Sequence, residues 1–119
     1  MLEYALILPV AILFIAGIVD CARLLWTYAT LYHAAEAAAR CGAVDQVTCG
    51  TNGQIATYAV SQAYGLTIAA SAITSARVVC GVAVTAEQSF TFVIPWFAMF
   101  IPSGGVQGIT LHASACYPV

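Results

Sequence analysis

Lysine is absent from this 119-residue chain and charge of either sign is scarce, with three arginines and five acids leaving a formal net charge of −2. Soluble domains carry about a quarter charged residues, against 7% here. That shortfall excludes an ordinary cytosolic domain. Disorder is excluded as well, since it needs low hydrophobicity and high charge, whereas 62% of these residues are hydrophobic. Nucleic-acid binding leans on clustered cations that release counterions from phosphates, and Arg23, Arg40 and Arg77 are scattered. Polybasic recognition of anionic lipid headgroups, which takes about 4–8 basic residues beside a membrane segment, falls with it.

Chemistry-bearing motifs are also missing. The chain has no G-x-S-x-G, no Walker-type loop and no carboxylate pair placed to converge, so no enzyme and no cofactor is expected. No C-x-x-C occurs, which removes thioredoxin-like redox motifs, zinc knuckles and haem attachment. His33 and His112 stand without a Cys or carboxylate at ligand spacing, and no metal is expected. Aromatics along the first forty residues (Tyr4, Phe14, Trp26, Tyr28, Tyr32) lack any accompanying redox motif, so packing and interfacial anchoring explain them better than conduction. No Asn-x-Ser/Thr sequon exists, because Asn52 is followed by Gly53 and Gln54; the stretch TIAASAITS is a candidate for O-linked sugars instead.

What is abundant is apolar surface. A chain this short buries only about two-thirds of its unfolded surface when it folds alone, so neighbouring copies or lipid must cover the remainder. From Tyr4 to Val19, YALILPVAILFIAGIV is uncharged, with Glu3 before it and Asp20 and Arg23 after it. It reads as a membrane-directed helix, slightly short of the roughly 20 residues that span a bilayer core. A cleaved signal peptide is the rival, opposed by the missing basic n-region and missing small-residue cleavage site. Strong helix formers continue to Gly42, so one helix is predicted over residues 2–41, about 60 Å long, half of which must pack on something other than lipid. Asp20/Arg23 and Glu36/Arg40 are spaced to form intrahelical ion pairs. Pro9 leaves the Ala5 carbonyl without its donor, and a bend or local melting is expected there.

Beyond the helix, the Gly-rich polar stretch 42–53 reads as a loop. A second helix follows, capped by Thr51 or Asn52, with an apolar stripe of Ile55, Ala59, Ala63 and Leu66 and an end near Gly65. LTIAASAITS is ambiguous between helix end and strand. Alternation then predicts a strand over residues 78–84 covered on both faces, a turn from Thr85 to Gln88, and a second strand from Ser89 to Ile94 stopped by Pro95. WFAMFIPSGG reads as an apolar loop, and VQGITLHASACYPV supplies the third strand. The expectation is an α+β lollipop: a long N-terminal helix (residues 1–41, membrane and assembly) and a small head (residues 42–119) with a short second helix and a three-stranded antiparallel sheet.

Five cysteines remain to be placed. Cys21 lies in the membrane-like helix and is expected to stay a buried thiol; Cys41, Cys49, Cys80 and Cys116 allow three connectivities. Cys41–Cys49 with Cys80–Cys116 is favoured, the first closing a short loop after the helix and the second tying two strands. The alternative is five reduced cysteines packed as small hydrophobes.

The segment LEYALILPVAILFIAGIVDCARLL resembles the TadE-like pilins of tight-adherence (type IVc-related) pili. It shares their glutamate-aromatic pair (Glu3, Tyr4), apolar run with an early proline (Pro9), then a glycine (Gly17), an acid (Asp20) and an arginine (Arg23). HAAEAAARCGA continues the match, and FTFVI, a Pro-containing apolar loop and ITLHASACYPV resemble the family's C-terminal half. The resemblance implies a subunit held in the bacterial inner membrane by its first helix, cut by a prepilin peptidase, and passed by inner-membrane machinery into a helical homo-polymer outside the cell. Glu3, Tyr4, Pro9 and Gly17 are the implied assembly residues, with Glu3 meeting a neighbour's N-terminal amine. Family members place that glutamate fifth after the cut and here it is third, so either two residues precede Met1 or the cut is unusual. A minor pseudopilin that primes assembly and a non-polymerising single-pass anchor are the competing readings.

Overall fold

The computed structural model describes residues 1–92 and 109–119. Helix α1 runs from Leu2 to Val44, and α2 spans Asn52–Gln62. A 3-10 turn at Ala70–Ala72 leads into strands β1 (Ile73–Val78), β2 (Gly81–Phe90) and β3 (Ile109–Tyr117). The strands form an antiparallel sheet in the order β1-β2-β3. This is the expected α+β layout, drawn out to 68 × 25 × 21 Å by a helix whose length alone is about 64 Å.

One stripe of α1 holds the head. Asp20, Thr27, Leu31, Ala34, Ala35, Ala38, Ala39 and Gly42 are buried, with Leu24 packed against the same core. These steps of three and four residues keep a single helix face toward the sheet. Alanines dominate its upper part for a geometric reason: small side chains let Val82, Val84 and Ala86 of β2 and Ala113 of β3 approach the helix backbone closely. Gly42 marks the tightest point, where an added Cβ would stand 2.9 Å from Ile55 Cδ1 and 3.1 Å from Val82 Cγ1.

Several sequence expectations are corrected. α1 continues unbroken through Pro9 and three residues beyond position 41, so the intervening connection is only residues 45–51. That turn is organised by Asp45, whose Oδ1 accepts from the amides of Val47 (3.0 Å) and Thr48 (3.1 Å). The Thr48 hydroxyl bond, followed by its amide, holds the Asp45 carboxyl below its ordinary value of 3.8. Of the two cap candidates, Thr51 caps α2. Its Oγ1 accepts from the Gln54 amide (3.3 Å) while Gln54 Oε1 accepts from the Thr51 amide (3.1 Å), a reciprocal capping box.

The strand boundaries differ most. Residues 78–84 are not one strand but the two arms of a hairpin, with Val79–Cys80 as its turn and Val78 paired with Gly81. The positive φ is carried by Gly81 (127°), where a side chain would also strike the Tyr117 carbonyl oxygen. Thr85–Gln88 is no turn either. It lies inside β2, with Thr85 opposite Ser114 and Glu87 opposite His112. Nor is β2 covered on both faces: Val82, Val84, Ala86 and Phe90 are buried while Glu87 and Ser89 are exposed. Ser89 and Phe90 end β2, and Thr91 and Phe92 follow it outside any strand. Val93, Ile94, Pro95, the WFAMFIPSGG loop and the first three residues of the expected third strand lie outside the described residues.

Both disulfides join parts of the head to fixed points. Cys41 of α1 bonds Cys49 of the turn (Cα–Cα 5.7 Å), and Cys80 of the hairpin bonds Cys116 of β3 (6.4 Å).

Candidate assembly surface

Among the described residues, α1 projects below Asp20 beyond the part that carries the head. Its side chains there are apolar on every face and exposed, Tyr4 at 76%, Phe14 at 73% and Ile18 at 59%. An 18-residue window of α1 with mean hydropathy 2.5 is long and apolar enough to cross a membrane. Eighteen residues, Leu2 to Val19, give a shaft of about 27 Å, close to the roughly 30 Å hydrocarbon thickness of a bilayer. Left in water, such a surface is unstable to association, each large apolar side chain gaining about 1.5–3 kcal/mol on burial.

The assembly residues named from sequence occupy this shaft. Glu3 and Tyr4 stand exposed in the first turn, Pro9 is exposed within the helix, and Gly17 is half-buried where the shaft meets the head. Glu3 lies in the first turn of α1, at the positive end of the helix dipole. Glu3 is nevertheless far from the other acid of this helix half, 17 residues or about 26 Å below Asp20.

At the junction the chain buries a carboxylate. Asp20 is 1% exposed, and Arg23 Nη1 lies 3.5 Å from its Oδ1. The Arg23 guanidinium in turn sits 5.3 Å from the centre of the Phe90 ring, which meets Phe92 edge-on at 5.2 Å. Cation and ring therefore hold the lower end of β2 to α1 at the level where the shaft begins. The i,i+3 spacing announced the ion pair; nothing in the sequence announced Phe90.

Other expected residues fall elsewhere. Cys21 is a free thiol but exposed rather than buried, since it lies outside the stripe that the head covers. Glu36 and Arg40 share the exposed face of α1 as expected but form no ion pair with each other; among the described residues Asp20 and Arg23 form an ion pair, and Glu87 lies against His112. The second contact, 3.3 Å between Glu87 Oε1 and His112 Nδ1, gives the exposed His112 a carboxylate neighbour that its sequence surroundings lack. Strand register creates it, and 25 residues separate the partners in sequence, so no local spacing could reveal it. Among the described residues no cluster of His, Cys, Asp or Glu could hold a metal.

Comparison with curated proteins and with solved structures gives no match. Residues 1–40, which carry the exposed apolar shaft, the Asp20–Arg23 junction and the start of the alanine stripe, match the family model for TadE-like protein.

Proposed function

We infer that this chain is a structural subunit of an extracellular type IV pilus-like filament. The inner membrane holds it by the α1 shaft before a prepilin peptidase and inner-membrane machinery deliver it to a homo-polymer. The observation that carries this reading is a TadE-like shaft, apolar on all sides and exposed, whose burial needs either lipid or other copies. In the bilayer the shaft is covered by acyl chains. When the subunit leaves the membrane, bundling the same segment from many copies replaces that cover. Its role is architectural, with no reaction assigned to it.

Glu3 then has a specific task. Within a bundle of apolar helices a lone carboxylate is costly, and a neighbour's N-terminal amine offsets that cost only when two subunits are in register. The same acid thus guides docking and penalises misplacement. Expressed in its native cells, the chain with Glu3→Ala is expected to accumulate in the membrane fraction and vanish from the sheared extracellular fraction. Glu3→Ala filaments at wild-type yield would remove Glu3 from assembly. Wild-type chain confined to the membrane as a detergent-stable monomer would favour the non-polymerising anchor, and trace amounts beneath another major subunit would favour the minor pseudopilin.

A further inference from the structure

The head carries a polar cleft well away from the shaft. His33, Glu36, Arg40 and Val44 recur at steps of three and four residues, so they share one face of upper α1. With Asp45 of the following turn, Tyr58 of α2 and Tyr117 of β3 they enclose a hollow of about 570 Å³. A second hollow of about 530 Å³ adjoins it along α2, because Thr48 and Tyr58 line both. Each lies within the roughly 300–1,000 Å³ of small-molecule sites. The cleft opens outside any bilayer that holds the shaft, since His33 stands 14 residues above Val19, about 21 Å along the helix. Its walls are set before any ligand arrives: the Cys41–Cys49 bridge ties the turn to α1, and the Thr51–Gln54 capping box fixes the start of α2. Little ordering is then left for binding to drive.

The polar groups of this cleft keep unused hydrogen-bonding capacity. Among the described residues the side chains of His33, Glu36, Arg40, Tyr58 and Tyr117 form no hydrogen bond or ion pair within the chain. In the second hollow Thr57 and Ser61 donate their hydroxyl protons to the carbonyls of Gly53 (2.9 Å) and Tyr58 (2.6 Å), which leaves both oxygens to accept. Gln54 spends its Oε1 on the amides of Gly50 and Thr51, which leaves its Nε2 to donate. Donors (Arg40, Gln54) and acceptors (Glu36, Thr57, Ser61) thus alternate along one cleft. A hydroxyl both donates and accepts, so a ligand bearing many hydroxyls satisfies such a mixed set where a simple anion or cation satisfies half of it. The two tyrosines add flat apolar surface with a polar tip, suited to the C–H face of a sugar ring. Glu36 and Asp45 outnumber Arg40, so an acidic sugar gains no positive excess.

We propose that the cleft between upper α1, the 45–51 turn and α2 binds a short neutral oligosaccharide, with Tyr58 at the join of two subsites, Arg40 and Glu36 serving one and Gln54, Thr57 and Ser61 the other. The site belongs to the head alone and stands apart from whether the chain polymerises. The test applies the full chain, in a detergent without a sugar headgroup, to an array of immobilised neutral and uronic-acid-bearing oligosaccharides. Retention on neutral chains is expected, weakened about tenfold by Arg40→Ala, which removes a charged hydrogen-bond donor, and unchanged by Ser114→Ala on the outer face of the sheet. Gly53→Leu guards against a folding artefact: an added Cβ there meets nothing within 4 Å, so the variant keeps the wild-type melting temperature while its side chain fills the second hollow and lowers retention. Retention of no oligosaccharide, or equal retention by wild type, Arg40→Ala and Gly53→Leu, overturns the site. Preference for the uronic-acid-bearing chains overturns the neutral class of ligand.

Discussion

Ser75, in the stretch left ambiguous between helix end and strand, carries a buried hydroxyl oxygen on β1 with no hydrogen-bond partner among the described residues. A buried polar group left unsatisfied costs about 1–3 kcal/mol, and removing it leaves only a small void. Ser75→Ala is therefore expected to raise the chain's stability by about 1 kcal/mol, read as a higher melting temperature of the full chain in mild detergent; a lower one would mean that the hydroxyl is satisfied. Asp45 behaves in the opposite sense. Because its carboxyl is held below 3.8 by Thr48 and Val47, the turn it organises is stabilised above that pH and weakened as pH falls through the folded-state value. Melting temperatures taken from pH 5 down to pH 2 should fall more for the wild type than for Asp45→Asn, and parallel curves would remove Asp45 from the acid response. Both residues show why single positions were hard to read: the polar look of residues 45–52 announced a loop but not which oxygen would tie it.

Elements were more legible when their signals were local. α1 follows from helix formers on both sides of Pro9, and α2 from its cap candidates Thr51 and Asn52 and the stripe of Ile55 and Ala59, all contained within a few turns. Thr51→Ala should lower stability by about 1 kcal/mol, measured by urea titration, whereas no change would show the cap to be idle. Leu31→Ala removes the largest fully buried side chain of the core and should cost about 2–5 kcal/mol. The strands were misdivided for a physical reason. The polar run Thr85–Gln88 looks like a turn, yet Thr85 and Glu87 alternate with the buried Val84 and Ala86 as the solvent side of a half-covered strand. The true turn, Val79–Cys80, is apolar and carries no Asn-Gly signal, since Gly81 just after it supplies the unusual backbone angle and the disulfide to Cys116 holds the corner. Likewise the contact of Arg23 with Phe90 spans 67 residues, beyond any spacing rule.

At the scale of the whole molecule, a small head is fixed to a long rod by a narrow alanine stripe and the Cys41–Cys49 crosslink, while Cys80–Cys116 ties two parts of the head together. The Cys80–Cys116 bridge closes 36 residues and Cys41–Cys49 only eight. Removing the first pair should therefore destabilise the chain by about 1 kcal/mol more than removing the second, within the usual 2–4 kcal/mol per bridge; thermal melts of the two paired Cys→Ser variants decide it. Such a head can keep its shape while the rod beneath it exchanges lipid for other rods. That exchange is the central claim, and shearing surface filaments from the native cells, pelleting them and identifying the chief protein by intact mass and peptides tests it most directly. The account predicts that this chain dominates the pellet with both disulfides formed. Finding it instead in the membrane fraction, with a different protein making up the filaments, would contradict it.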